Sequence, residues 1–178
     1  MKVFKIIQKK DLIYEIIQKS ILTTTDSLFL KKLKLSNIYE IERNDENYEE
    51  IGNKKLLWYW TRYKNYISII LKGLRIIGDE TPECINLFGK GLYFYDSIGS
   101  IPFIIEDKEK FIFVFLCEVS LGNTLEILTN DYFGHQIPYP FDSIKACGKF
   151  YPSKTINFEN FEIYSGPVLR EIFSVILI

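Results

Sequence analysis

The chain holds one histidine, His135, and three cysteines, Cys84, Cys117 and Cys147, so an active site built on a His–Cys–His constellation has no material to work with. The cysteines are odd in number and far apart, with no CxxC pair, whereas a zinc site or disulfide framework wants ligands at short local spacing. They read as reduced, mostly buried thiols, and no metal is expected. His135 sits in a turn-rich stretch and reads as a surface residue. What remains chemically capable is a carboxylate and a set of aromatic rings. Glu171 lies in an apolar stretch, residues 168–178, where an inward-facing carboxylate is costly unless it has a partner. That placement favours a site over its other reading, an edge-strand carboxylate in solvent. Trp58, Tyr59, Trp60, Tyr63 and Tyr66 crowd into nine positions; such rings stack bases or peptides, but with little positive charge around them packing is the stronger reading. Gly89 and Gly91 flank Lys90 as a turn, and neither the dinucleotide glycine fingerprint nor the P-loop pattern occurs.

The elements that must position these groups can be read from periodicity. At 178 residues and 47% hydrophobic, the chain has room for one domain with its own core. Apolar residues at Val3, Ile6, Ile7, Leu12, Ile13, Ile16, Ile17 and Ile21 follow the three-and-four spacing of an amphipathic helix over residues 3–22, with a break near Lys10–Asp11. Residues 33–43 alternate as a half-buried strand does. Residues 56–60 read as a buried strand, and residues 65–72 as a short helix stopped by Gly73. Residues 89–96 form a glycine-flanked strand. Residues 111–120, FIFVFLCEVS, make the strongest strand signal, buried on both faces at its start, and 125–128 continues it. Residues 129–167 are turn-rich, and 168–178 close the chain as an apolar strand. The expected architecture is α+β: an N-terminal helical segment within residues 1–22 and a core over 33–178, together a single domain spanning 1–178.

Composition also bounds partners. A net charge of −1 argues against a broadly basic nucleic-acid surface, so direct nucleic-acid binding is not expected. Lys31, Lys32, Lys34, Lys54 and Lys55 read as a solvated face rather than a basic patch. No apolar run approaches the ~18 residues of a membrane span, and the N-terminus lacks a signal peptide's apolar region; no membrane association is expected, and the chain reads as intracellular.

Four segments in order resemble the catalytic domain of poly(ADP-ribose) polymerases. LLWYWTRYKNYISIILKGLRI (56–76) is similar to the family's LLWHGSR segment, helix and GLRI. FGKGLYFYD (88–96) is similar to its GKGIYFAD, FLCEVSLGN (115–123) to its GEVALGN, and FDSIKACGKFYP (141–152) to its HSVKGLGKTTP. KLKLSNIYEIER (32–43) matches the strand opening the family's core, and VLREIFSV (168–175) falls where the family has NEYIVY. The resemblance implies the ADP-ribosyltransferase fold, two packed, mostly antiparallel sheets with NAD in a cleft between them. It implies cleavage of the nicotinamide–ribose bond and transfer of ADP-ribose to an acceptor. Such a transition state is oxocarbenium-like, so a carboxylate near the ribose has clear value.

By the same resemblance, the family's His–Tyr–Glu triad becomes Tyr59, Tyr93 and Glu171. Glu171 would hold the nicotinamide-ribose 2′-hydroxyl, and Tyr93 would stack on the nicotinamide ring. Tyr59 stands where the family has His, and its phenol reaches several ångströms beyond an imidazole nitrogen. Trp60 replaces a glycine whose backbone holds the carboxamide, and Tyr95 replaces a small alanine lining the same pocket. On ungapped alignment Ser100, Ile101 and Ile104 replace the family's Lys, Ser and second stacking aromatic; Phe103 would recover the stack after a one-residue shift. The adenosine side is better kept: Thr61 retains the family's hydroxyl, Arg62 and Asn65 hold their places, and Arg75 opens the adenine loop. The expected function is NAD-dependent ADP-ribosyl transfer to a protein acceptor, limited to mono-transfer or impaired. Its alternative is a catalytically inactive interaction module whose pocket is filled by Tyr59, Trp60 and Tyr95. Nuclear localisation is what the resemblance implies.

Overall fold

The computed structural model describes residues 2–23, 34–43, 50–76, 88, 91–98, 112–127, 137–147, 154–158, 161–165 and 173–176. Its first element corrects the sequence expectation. Residues 3–22 are not one helix: β1 (Lys2–Ile7) precedes α1 (Leu12–Thr23), and the two meet at the expected break. The Asp11 carboxylate accepts the Gln8 N–H at 2.8 Å, while its carbonyl accepts the Tyr14 N–H and starts the helix. β1 is a strand because a partner exists for it. It pairs antiparallel with β2 (Ile38–Arg43), setting Ile6 against Tyr39 and Lys5 against Glu40, whose charges meet at 3.2 Å. Val3, Phe4, Ile6 and Ile7 suit a pleated surface as well as a helix, and long-range pairing decides between them. α1 buries Tyr14, Ile17 and Ser20, one residue per turn along a single face.

β3 (Lys54–Tyr59) and β5 (Phe115–Ser120) form an antiparallel pair running from Lys54 opposite Ser120 to Tyr59 opposite Phe115. Between them come α2 (Tyr63–Lys72) and β4 (Leu92–Phe94). α2 ends as expected at Gly73, whose φ of 81° lets its N–H return to the Ile69 carbonyl at 2.7 Å. The β5 segment is less enclosed than its composition suggested. Phe113 is 58% exposed and Phe115 half-buried, and among the described strands β5 pairs with β3 alone.

Nor does residue 125 continue β5. The chain turns at residues 121–123 and enters β6 (Thr124–Ile127), which pairs in parallel with β7 (Ser143–Ala146). The turn-rich stretch therefore holds β7, β8 (Lys154–Phe158) and β9 (Phe161–Ser165), the last two forming an antiparallel hairpin. β10 (Phe173–Ile176) enters between β4 and β7, antiparallel to both, giving the order β4-β10-β7-β6. Sequence-distant strands thus sit side by side, which the turn residues alone did not reveal.

Two junctions hold this arrangement. The first is an isolated bridge: Trp58 and Tyr95 exchange backbone hydrogen bonds of 2.7 and 2.8 Å, joining the β3–β5 pair to the end of β4. The second is a polar knot where β5 turns into β6. Asn53 donates its side-chain amide to the Gly122 carbonyl at 3.0 Å and to Thr124 Oγ1 at 3.2 Å. Asp142 accepts the Asn123 N–H at 2.9 Å, and the buried Ser143 hydroxyl donates to the Leu121 carbonyl at 2.7 Å. The most enclosed side chains lie beside these junctions, Leu57 at 1% and Ile144 at 0% exposure. The architecture is α+β, with antiparallel pairing everywhere among the described strands except β6–β7.

Gly122 has φ of 55°, and a Cβ there would fall on the Asp142 carboxylate that holds Asn123. Gly122→Ala is expected to cost about 1–3 kcal/mol by combining left-handed strain with a displaced acceptor. Urea denaturation checks this; an unchanged midpoint would show the knot to be dispensable.

Candidate functional site

β3 ends at the residues that matter. Its alternation sends successive rings to opposite sides: Leu57 and Tyr59 pack in one cluster with Leu92, Phe94 and Leu121, while Trp58 and Trp60 pack in another with Ile17 of α1, Ile98 and Tyr95. Tyr59 lies 5.5 Å from the Phe94 ring and 6.4 Å from Phe115, centroid to centroid. The Trp58–Tyr95 bridge sets that register, since one step along each strand brings Tyr59 opposite Phe94.

Tyr93 belongs to neither cluster. It packs with Phe88, Ile127, Ile144 and Ala146, and lies opposite Val175 of β10. The Phe88 N–H donates to its hydroxyl at 3.3 Å, so the phenol is tethered to the start of the glycine-flanked turn. Tyr95, two residues on, turns into the α1 side of the core. Burial there pushes its phenol up to about 12, helped by the neighbouring Tyr59 and Tyr93, so it stays neutral in any ordinary buffer. The three aromatics that the sequence placed in one pocket are therefore divided. Tyr59 lies on one side of β3; Trp60 and Tyr95 lie on the other, beneath α1.

Thr61, Arg62 and Asn65 gather at the entry to α2. Asn65 donates its side-chain amide to Thr61 Oγ1 at 2.8 Å, and its N–H to the Arg62 carbonyl at 3.0 Å. Arg62 is the N-cap residue but caps with no side-chain bond, and both Arg62 and Arg75 are exposed. The aromatic run does not act as a single cluster. Tyr66 is buried against Phe113 and Phe115 and donates its hydroxyl to the Phe113 carbonyl, whereas Tyr63 is 67% exposed. Glu171, His135, Cys84, Gly89, Lys90, Ser100, Ile101, Phe103, Ile104, Lys31 and Lys32 lie outside the described residues. Cys117 and Cys147 are half-buried, more open than the sequence suggested, and burial pushes the Cys147 thiol up. Lys54 contacts Glu50 and Glu118, both at 3.1 Å, so part of the lysine face is ion-paired.

Sequence reasoning passed over Asp96, the residue that ends FGKGLYFYD. It is 5% exposed, and its Oδ1 has no hydrogen-bond partner. Burial lifts its carboxyl to about 7, against the pull of Lys145, Lys55 and the backbone N–H groups of Asp96 and Ser97. Nothing in the sequence marks it, because an acid at the end of a short strand is ordinarily solvated. Near the same lysines lies a cavity of about 100 Å³, lined by Asn53, Lys55, Thr124, Glu126, Ser143 and Lys145 among others. Of the residues singled out from sequence it includes Lys55 and none of the triad or adenosine-side positions, and its size suits a few solvent molecules.

This arrangement is the ADP-ribosyltransferase fold. Residues 13–169 match the family model for the poly(ADP-ribose) polymerase catalytic domain. Poly(ADP-ribose) polymerase 1 of Caenorhabditis elegans is 30% identical over 142 residues, covering 77% of this chain and 15% of that protein. The Arabidopsis thaliana polymerase 1 is 33% identical over 148 residues, covering 78% and 15%. The human polymerase 2 is 32% identical over 126 residues, covering 68% and 22%. The chain belongs to the poly(ADP-ribose) polymerase catalytic domain family, and it spans between about a seventh and a fifth of the length of these relatives. Among the described residues, no group of three or more His, Cys, Asp or Glu could hold a metal, and no helix is long and apolar enough to cross a membrane.

Asp96 ties stability to pH. An unfolded aspartate ionises near 3.8, so between that value and about 7 the folded chain holds a proton that the unfolded chain has lost. Its contribution is therefore most favourable below the unfolded value, declines as pH rises, and is constant above the folded one. Asp96→Asn keeps the neutral shape and removes the slope. Its Tm relative to the parent should climb from pH 4 to 7 and then level, by up to about 4 kcal/mol of stability; a pH-independent difference would show that Asp96 does not carry this proton.

Proposed function

We propose that this chain is an ADP-ribosyltransferase domain that uses NAD as donor and transfers single ADP-ribose units to a protein acceptor. Tyr93 presents an aromatic face for the nicotinamide ring, and Glu171 engages the 2′-hydroxyl of the adjoining ribose. Thr61, Asn65 and Arg75 serve the adenosine half, and Trp60 offers backbone groups to the carboxamide. The bond from ribose C1′ to the nicotinamide nitrogen breaks, with its electron pair leaving on nicotinamide. A nucleophilic acceptor side chain then bonds to C1′ and releases a proton. The positive charge on the ribose is greatest between these events, where a carboxylate stabilises it most. The family's His is replaced by Tyr59, and on ungapped alignment its Lys by Ser100, which favours transfer of one unit over chain growth.

The observation that carries this reading is the division of the aromatic side chains within a family catalytic domain. Trp60 and Tyr95 pack under α1 with Trp58 and Ile17, whereas Tyr93 packs in a separate cluster with Phe88 and Ile144. The bulk introduced at Trp60 and Tyr95 thereby packs into the core beneath α1, although the Tyr95 phenol keeps Tyr59 and Tyr93 as electrostatic neighbours. One observation favours the alternative, an inactive interaction module: the Tyr59 ring occupies the space between Phe94 and Phe115, where it packs instead of reaching outward.

Calorimetry with NAD and with benzamide as a nicotinamide mimic, together with auto-modification by labelled NAD, separates the two. The transferase reading expects weak heats and a label that remains a single unit. No heat and no label at high protein concentration would overturn it and leave the interaction module. Tyr59→His with Trp60→Gly should raise NAD affinity at least about tenfold, since each restored polar contact is worth roughly 1–3 kcal/mol.

A further inference from the structure

Asp96 directly follows the strand and bridge that carry Tyr93 and Tyr95, and its Oδ1 is buried with no donor within reach. A carboxylate in that position either keeps its proton or recruits a cation. Two cations from other elements, Lys145 of β7 and Lys55 of β3, favour its ionised form. Lys145 is engaged elsewhere: its Nζ sits 2.7 Å from Glu126 of β6, whose side chain is 62% exposed. The half-buried Cys147 thiol, just past β7, also faces Asp96 and is held neutral by burial. Tyr93 and Tyr95 precede Asp96 on the same stretch of chain, and the Tyr95 phenol stays neutral.

Lys145 thus stands between two acids of unequal need. Water can solvate Glu126 if the lysine leaves it, whereas the inner oxygen of an ionised Asp96 is shut from bulk solvent and draws on the lysines from other elements. Sheet order gives such a move mechanical meaning. Lys145 is opposite Ser174, and Ser174 is opposite Phe94, so a Lys145–Asp96 pair would reach across β10 and tie the end of β4 to β7.

We propose that Asp96 is a positioning residue for the donor pocket: protonated, it leaves Lys145 on Glu126; ionised, it draws Lys145 across β10 and clamps the segment bearing Tyr93 and Tyr95. The effect on ligand rests on the transferase reading, whereas the lysine exchange itself does not. A clamped segment pays less ordering cost on binding, so affinity for a nicotinamide-like ring rises as Asp96 ionises.

The test uses the full chain with carbon-13-labelled tyrosine rings, titrated by NMR from pH 5.5 to 8.5 without ligand. The Tyr93 and Tyr95 resonances are expected to move with one midpoint near the Asp96 value of about 7. Asp96→Asn abolishes the movement, and Glu126→Gln, which removes the rival acceptor, lowers the midpoint. Ring shifts that titrate identically in Asp96→Asn, or a midpoint unmoved by Glu126→Gln, would overturn the exchange. Benzamide calorimetry supplies the second arm. Affinity should rise about threefold or more between pH 6 and pH 8 in the parent and stay flat in Asp96→Asn. Rings that titrate as expected while benzamide binds at no pH would uphold the exchange and overturn the donor reading; binding that ignores pH would overturn the positioning role.

Discussion

A single antiparallel contact, the pair of backbone hydrogen bonds between Trp58 and Tyr95, governs the geometry around the candidate site. It joins the β3–β5 pair to β4, and through β4 to the four-stranded sheet. Because side chains alternate across a strand, fixing that one register fixes the side on which every neighbouring ring emerges. Tyr59 meets Phe94, while Trp58, Trp60 and Tyr95 face α1. A slip of one residue would exchange those sides and send the tryptophans toward Leu92 and Phe94.

The same constraint explains why a charged residue is buried at Asp96. The bridge carries the chain into the interior at Tyr95, and the next two residues follow it in, Asp96 at 5% exposure and Ser97 at 0%. Ser97 is small and hydrogen-bonds readily, whereas Asp96 must either hold its proton or find a cation. The region around Lys55, Glu126 and Lys145 is where the fold keeps polar groups inside, beside its small cavity. Ile144, which lines that cavity, also packs with Tyr93. Among the described residues, the buried carboxylate is Asp96, two residues past β4.

Much of the fold was legible because it rests on local rules. α2 was readable from Tyr66, Ile69 and Ile70 followed by glycine, and Gly73 does adopt a positive φ. β3 was readable as an apolar run bounded by lysines, and β5 from its β-branched and aromatic residues. The failures share one cause. Residues 2–7 satisfy helical spacing, yet a partner strand 35 residues away pairs with them. The 125–128 stretch follows β5 closely, yet the Asn53–Gly122–Asp142 knot turns it into another sheet to lie parallel to β7. Periodicity reports what a segment can do alone; it cannot report which distant segment will claim it.

For the site, the motifs identified the family, because side-chain chemistry at fixed spacing is a property of the chain, and the resemblance implied which residues answer to its triad and its adenosine side. The substitutions Tyr59, Trp60 and Tyr95 were equally plain, and their bulk argued for a filled pocket. Only the tertiary structure decided where that bulk goes: two of the three rings pack beneath α1, and one packs against Phe94 and Phe115. It alone also revealed Asp96 as a buried, half-satisfied carboxylate between two lysines. Direction and burial depend on strand register and on what packs above and below, and neither is encoded in the identity of the residue itself.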